Sequence, residues 1–204
     1  MDQNRIRIVE KTEAPRAVSV QMMAFSSDPI MRWCWPEPHE YVRHFPTFVR
    51  GFGGRAFEHG AAHVADAFLG GSLWLPPGAG TDDDALEKLF NETVAEPVRS
   101  EAFSILEQVG KAHPAEPHWH LAFIGVDPTQ QGKGIGAALL RYALARIDEQ
   151  GLHSYLESSN PANISLYQRH GFEVIREIRV GGSPPVTPML RMPRRSPTGS
   201  HRPA

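Results

Sequence analysis

Cysteine is nearly absent from this chain. Cys34 is the one thiol in 204 residues, so no intrachain disulfide forms and no second thiol completes a redox pair or a thiolate metal site. Long apolar runs are missing too: no stretch approaches the roughly 18 residues that span a bilayer, and the opening MDQNRIRIVE lacks the apolar core of a signal peptide. Neither sign of charge dominates. The 21 Lys and Arg residues are mixed with 23 Asp and Glu for a net charge of -2, which gives no broad basic field for a phosphate backbone. These absences lead us to expect a cytoplasmic protein with neither nucleic acid nor membrane as partner. What is present is ordinary globular composition, 41% hydrophobic and 22% charged, enough for one core at this length. We expect a single domain over residues 1–193 and a solvated tail over 194–204.

Periodicity gives a coarse order of elements. Residues 5–9 alternate charged with β-branched side chains and read as a half-exposed strand. Ala17, Val18, Met22 and Phe25 recur at helical spacing. Residues 31–38, rich in Trp and Pro, read as a loop, and a helix over about 39–49 is expected to end near Gly51, Gly53 and Gly54. Strands follow over 62–65 and 69–75, then one or two helices over 83–112 broken at Glu96-Pro97. Residues 119–126 are almost continuously apolar, as in a strand covered on both faces. A helix over 134–150 buries Ile135, Leu139, Tyr142, Ala143 and Ile147; a strand over 152–158 and a helix capped by Asn160-Pro161 come next. An antiparallel pair over 172–180 and 186–192 completes the domain.

The chemistry concentrates at Gln131-Gly132-Lys133-Gly134-Ile135-Gly136, between the apolar strand and the helix after it. Three glycines strip β-carbons from a turn that opens a helix, so backbone N–H groups converge on one anion and the helix's positive end reinforces them. A tight turn with close packing is the plain alternative. Gly132, Gly134 and Ala137 also satisfy a dinucleotide pattern, with Glu157 near the ribose-binding distance. That reading requires successive parallel βαβ units, whereas this chain continues into one short helix and an antiparallel pair.

Val126-Asp127-Pro128 followed by Gln131-x-x-Gly134-x-Gly136 resembles the acetyl-CoA signature of the GNAT superfamily, and the run Asn163-Ile164-Ser165-Leu166-Tyr167 through Gly171-Phe172 is similar to its second hallmark. Residues 73–78 resemble a branch that includes puromycin acetyltransferase-like members. The resemblance implies a mixed α/β (α+β) fold: a central, mostly antiparallel splayed sheet of six to seven strands flanked by helices. It also implies acetyl-CoA as co-substrate, with no metal and no covalent enzyme intermediate. Backbone amides of Gly132, Lys133, Gly134, Ile135, Gly136 and Ala137 would hold the pyrophosphate, with Gln131 of the signature also at the cofactor, and Phe123, Ile124, Gly125 and Val126 would pair with the pantetheine arm. Asn163 and Tyr167, four apart on a helix, share a face; by resemblance that face meets the thioester, so Asn163 would contact the cofactor arm and Tyr167 would protonate the leaving thiolate.

The base is left between two residues. Glu157 shares a strand face with Tyr155 and His153, and His120 is expected on the face of its strand opposite Phe123. His118 and His120 have a spacing that ligates metal on a strand, but no third convergent ligand is visible, so no metal is expected. Trp33, Trp35 and Tyr41 are candidates for an amine pocket through cation–π contact; packing against the core is the alternative. The leading reading is acetylation of a small-molecule primary amine. A protein or peptide N-acetyltransferase and a non-catalytic acyl-CoA-binding module stand behind it, and oligomeric state is open, a homodimer included.

Overall fold

The computed structural model describes residues 5–194. Among them seven strands form one sheet: β1 (Ile6–Ile8), β2 (Ala62–Ala65), β3 (Gly70–Leu75), β4 (His118–Val126), β5 (His153–Ser158), β6 (Glu173–Val174) and β7 (Thr187–Arg191), in the order β1-β2-β3-β4-β5-β7-β6. Every neighbouring pair is antiparallel except β4 with β5. A continuing parallel sheet, and with it the dinucleotide reading, is therefore absent from the described residues.

The sheet is covered on both faces because its central strands are apolar on both. On one face, Val64, Leu73, Leu75 and Phe123 pack with helices α1 (Ala14–Ala24), α2 (Pro29–Cys34), α3 (Pro38–Gly53), α4 (Asp83–Thr93) and α5 (Val98–Gly110). On the other, Trp74, Leu121, Leu156 and Met189 meet α6 (Ile135–Glu149) and α7 (Ile164–Arg169). Among the described residues no helix is long and apolar enough to cross a membrane.

Two irregularities of β4 shape the site. β5 pairs with β4 only from His118↔His153 to Leu121↔Leu156, while its other edge stays paired with β7 from Ser154↔Arg191 as far as Ser158↔Thr187. From Ala122 onward the β4 edge has no strand partner, which opens a wedge between the strands. Against β3, Leu73 faces Phe123 while the next residue, Trp74, faces Leu121. Ala122 is thus the extra residue of a β-bulge, and a bulge re-aims the side chains beyond it. His120 and Phe123, expected on opposite faces, lie on the same face, and both rings pack on Phe52 at 5.7 and 5.8 Å.

Other expectations are corrected by local chemistry. The loop expected over 31–38 is helical as far as Cys34, the end of α2, because Asp28 caps that helix's N-terminus, accepting from Ile30 N and Met31 N at 3.1 Å, with Pro29 in the first turn. Helix α3 ends at Gly53 with Gly54 as its cap, near the glycines as expected, one turn beyond residue 49. A β-carbon on Gly53 would stand 2.8 Å from the Phe123 ring, so glycine there permits close approach to β4. The strand expected over 172–180 shrinks to β6 plus a bridge from Ile178 to Val186, a short edge of the kind that resists pairing with other chains. The expected tail begins at Arg194, whose backbone N–H donates to Asp148 Oδ1 at 2.9 Å; the rest of it lies outside the described residues. Asp148 also receives both Nη atoms of buried Arg191 at 2.7 Å, tying α6 to β7.

Candidate active site

Three connected spaces cross the wedge. The first is a groove of about 490 Å³ over the glycine turn. Asp127 starts the turn by accepting from Thr129 N and Oγ1 at 2.8 Å. Gly132 and Gly134 then take φ of +77° and +80°, and Gly134 caps α6. Those angles favour glycine, and β-carbons there would meet no protein atom within 4 Å. The unpaired N–H groups opening the 15-residue α6 face this groove. Ile124, Gly125, Val126, Gln131, Gly132, Gly134, Ile135, Gly136 and Ala137 all line it, with Asn163 and Tyr167 opposite. Lys133 does not: its Nζ donates to Gln130 Oε1 at 2.9 Å. Arg169, which the sequence reading passed over, lines the groove with a fixed positive charge.

The second space, about 120 Å³, fills the wedge. Phe123 and Ile124 line it from β4, Leu156 and Glu157 from β5, and it shares Ile124, Asn163 and Tyr167 with the groove. Asn163 sits in the short turn before α7, and Tyr167 lies on α7 itself. The Tyr167 ring is buried and packs edge-on to Phe172 at 6.1 Å. Burial, with the Asp28 charge adding, pushes the phenol well above its ordinary range. It is a protonated donor at neutral pH. Asp28 and Ser159 close this end of the wedge: Ser159 Oγ donates to Asp28 Oδ2 at 2.5 Å and ties α2 to the chain beyond β5.

The third space, about 500 Å³, lies on the far side of Glu157 among α3, α4 and α5, with exposed Asp83 and Glu87 among its lining. It shares Phe52 and Glu157 with the wedge. His120 Nε2 donates to Glu157 Oε2 at 2.7 Å, so the two candidate bases form one unit. Burial alone would raise the Glu157 carboxyl, but its neighbours, His120 above all, oppose this and the pKa is held low, at about 2. His113, from the loop between α5 and β4, was not visible as a site residue. Its Nε2 stands 3.2 Å from Glu157 Oε1 without hydrogen-bond alignment, and its Nδ1 is 2.9 Å from His118 Nε2. His118 therefore pairs with His113.

The three aromatic candidates separate. Trp33 lines the wedge. Trp35 is a core residue, 1% exposed, stacked on Phe90 and donating Nε1–H to Thr93 Oγ1. Tyr41 is equally buried, stacks on Phe45 and donates its hydroxyl to Met22 O at 2.6 Å. Neither lines the wedge or the third space, because both rings plug the α1–α3 layer.

Residues 96–172 match the acetyltransferase (GNAT) family. The chain is 25% identical to an uncharacterised N-acetyltransferase of Schizosaccharomyces pombe, over 91% of this chain and 82% of that one. It is 30% identical to a mycothiol acetyltransferase of Saccharomonospora viridis, over 83% of this chain and 58% of the relative, so it spans little more than half that relative's length. A solved Corynebacterium glutamicum structure, described as a histone acetyltransferase and related acetyltransferase, superposes with a TM-score of 0.65 at 24% identity, covering 94% of this chain and 97% of that one.

Proposed function

We propose, from the match of residues 96–172 to the acetyltransferase (GNAT) family, that the chain moves the acetyl group of acetyl-CoA directly to a primary amine of a small molecule in the cytoplasm. One observation carries the proposal: Tyr167 stands where groove and wedge meet, and Glu157 where wedge and third space meet. A proton donor and a proton acceptor thus bracket a cavity with room for little more than a thioester.

The residues fit acetyl-CoA. Gly132, Gly134 and the N-terminus of α6 suit its pyrophosphate, the free β4 edge from Ala122 to Val126 suits its amide-bearing arm, and bound there it would supply the activated acetyl group. Asp83 and Glu87 draw a cationic amine into the third space. The His120–Glu157 pair takes its proton, and the neutral amine attacks across the wedge. Tyr167 gives its proton to the departing thiolate. The name of the mycothiol acetyltransferase relative supports a small acceptor, as does the helix-walled third space.

The test is a panel of small primary amines and N-terminal peptides assayed for thiol release from acetyl-CoA, with thermal shift as a second readout. Acetyl-CoA should raise Tm by mass action and NADH should not. Turnover confined to peptides would move the assignment to a protein acetyltransferase. Binding without turnover on any amine would leave an acyl-CoA-binding module.

A further inference from the structure

We propose that His113, His120 and Glu157 form a binding site for a divalent transition-metal ion of the zinc class, and that the ion, once bound, blocks acetylation by occupying the base. The second half rests on the function proposed above; the first does not.

The argument begins with protons. His118 Nδ1 lies 2.8 Å from the Glu116 carbonyl. A carbonyl only accepts, so His118 carries its proton on Nδ1. Its Nε2 then accepts, and His113 Nδ1, 2.9 Å away, must donate. In neutral rings this leaves His113 Nε2 with a bare lone pair, 3.2 Å from a carboxylate oxygen but not aligned on it. That oxygen, Glu157 Oε1, is buried and has no hydrogen-bond partner among the described residues, on a side chain only 9% exposed. Two unmatched acceptors this close in a low-dielectric site are unfavourable, and a cation bound by both relieves the cost.

The donor set fits a particular class of cation. Two imidazole nitrogens and one carboxylate with a fourth position open is a zinc arrangement, whereas magnesium and calcium prefer all-oxygen sites. Ligand atoms of the three residues lie within 4.8 Å of one another. Bonds of about 2.0–2.2 Å put tetrahedral ligands about 3.4 Å apart, so small side-chain rotations suffice. The open position faces the third space, whose Asp83 and Glu87 offer cations a path. Outer support is present as well: Glu116 O and His118 fix the tautomer and direction of the His113 ring, as second partners of metal-bound histidines do. His118 is in this sense a positioning residue.

To bind, the ion must displace the Nε2 proton of His120 that now bonds Glu157 Oε2, and it takes the Glu157 oxygens, the group that deprotonates the amine. Zinc and the incoming ammonium therefore compete for one place.

The test uses the full chain stripped with EDTA and dialysed. Titration with zinc chloride should show one ion per chain, and cobalt(II), used as a coloured probe, should give the absorption of a four-coordinate nitrogen–oxygen site. His113→Ala should abolish the cobalt spectrum, and His118→Gln should weaken binding by about 10–100-fold, with thermal unfolding checking that each variant is folded. Zinc should inhibit acetylation competitively with the amine and not with acetyl-CoA, and EDTA should restore it. Failure to bind zinc stoichiometrically, or binding unchanged by His113→Ala, overturns the metal site whatever the acetylation result. Zinc held by these residues with acetylation undiminished overturns the inhibitory half and the assignment of the base.

Discussion

His120 Nε2 and Glu157 Oε2 stand 2.7 Å apart across the β4–β5 pair, so two side chains 37 positions apart in sequence share one proton-accepting site. The parallel register sets this up: His120 faces Tyr155, which brings Glu157, two residues further along the same face, to the point where β5 leaves β4. Groups that act as a unit give non-additive losses. Glu157→Gln and His120→Asn should each lower kcat by about 10²–10⁴-fold, and the double variant should be about as slow as the worse single. Losses that multiply would show two independent roles.

The glycine turn separates its two conspicuous glycines. Gly134 has φ +80°, a conformation that costs a non-glycine residue about 1–2 kcal/mol. Gly136 is helical, and a β-carbon there meets Leu166 at 3.6 Å and Val126 at 3.7 Å, ordinary contact. Gly134→Ala should therefore destabilise the fold by about 1–2 kcal/mol and weaken acetyl-CoA by tenfold or more. Gly136→Ala should preserve both. Calorimetric titration with urea melts distinguishes the cases, and equal effects at the two positions would contradict the assigned geometry.

Much of this geometry was legible in the sequence because it is local. The β4–turn–α6 unit and the segment from Asn160 to Tyr167 are contiguous patterns of apolar period, glycine and cap; the structure keeps the first as read and moves Asn163 off the helix into the turn that opens α7, which carries Tyr167. The Asp28-Pro29 cap outweighs the Trp- and Pro-rich composition that suggested a loop. The bulge at Ala122 was not visible, since nothing in an apolar run marks which residue will lack a partner. That single extra residue moved His120 to the face of Phe123. His113 was hidden for a related reason: its partners, His118 apart, lie on strands that meet it only after folding.

Stability should depend on pH through a residue remote from the site. His63 on β2 is buried against Tyr142, and burial, with the Arg146 charge adding, lowers its pKa to about 4 from an ordinary 6.5. Between those values the unfolded chain binds a proton that the folded chain refuses, so stability is lost as pH falls from about 6.5 to about 4. The full loss is about 3 kcal/mol at 1.36 kcal/mol per unit. His63→Leu, which cannot titrate, should show a flatter decline in urea melts across this range. Parallel curves for the two proteins would mean that His63 takes up its proton in the folded state without penalty.

The sharpest single-atom prediction concerns the phenol of Tyr167. The ring is held by Phe172 and by its place on α7, at the boundary between the groove and the wedge. Its hydroxyl makes no hydrogen bond to the described residues, so it is not anchored as a packing tyrosine's would be, and burial keeps it protonated. A donor that acts on a departing thiolate matters in the transition state and little in the ground state. Tyr167→Phe keeps the ring and its packing while deleting that one donor, and loses no bond that holds the fold. Turnover should fall by about 10²–10⁴-fold, with acetyl-CoA affinity and Tm nearly unchanged. Steady-state kinetics on a responsive amine, beside calorimetric titration with acetyl-CoA, measures both quantities. A stable Tyr167→Phe protein with full turnover would remove the phenol from the reaction and leave the thiolate to depart unprotonated or through water.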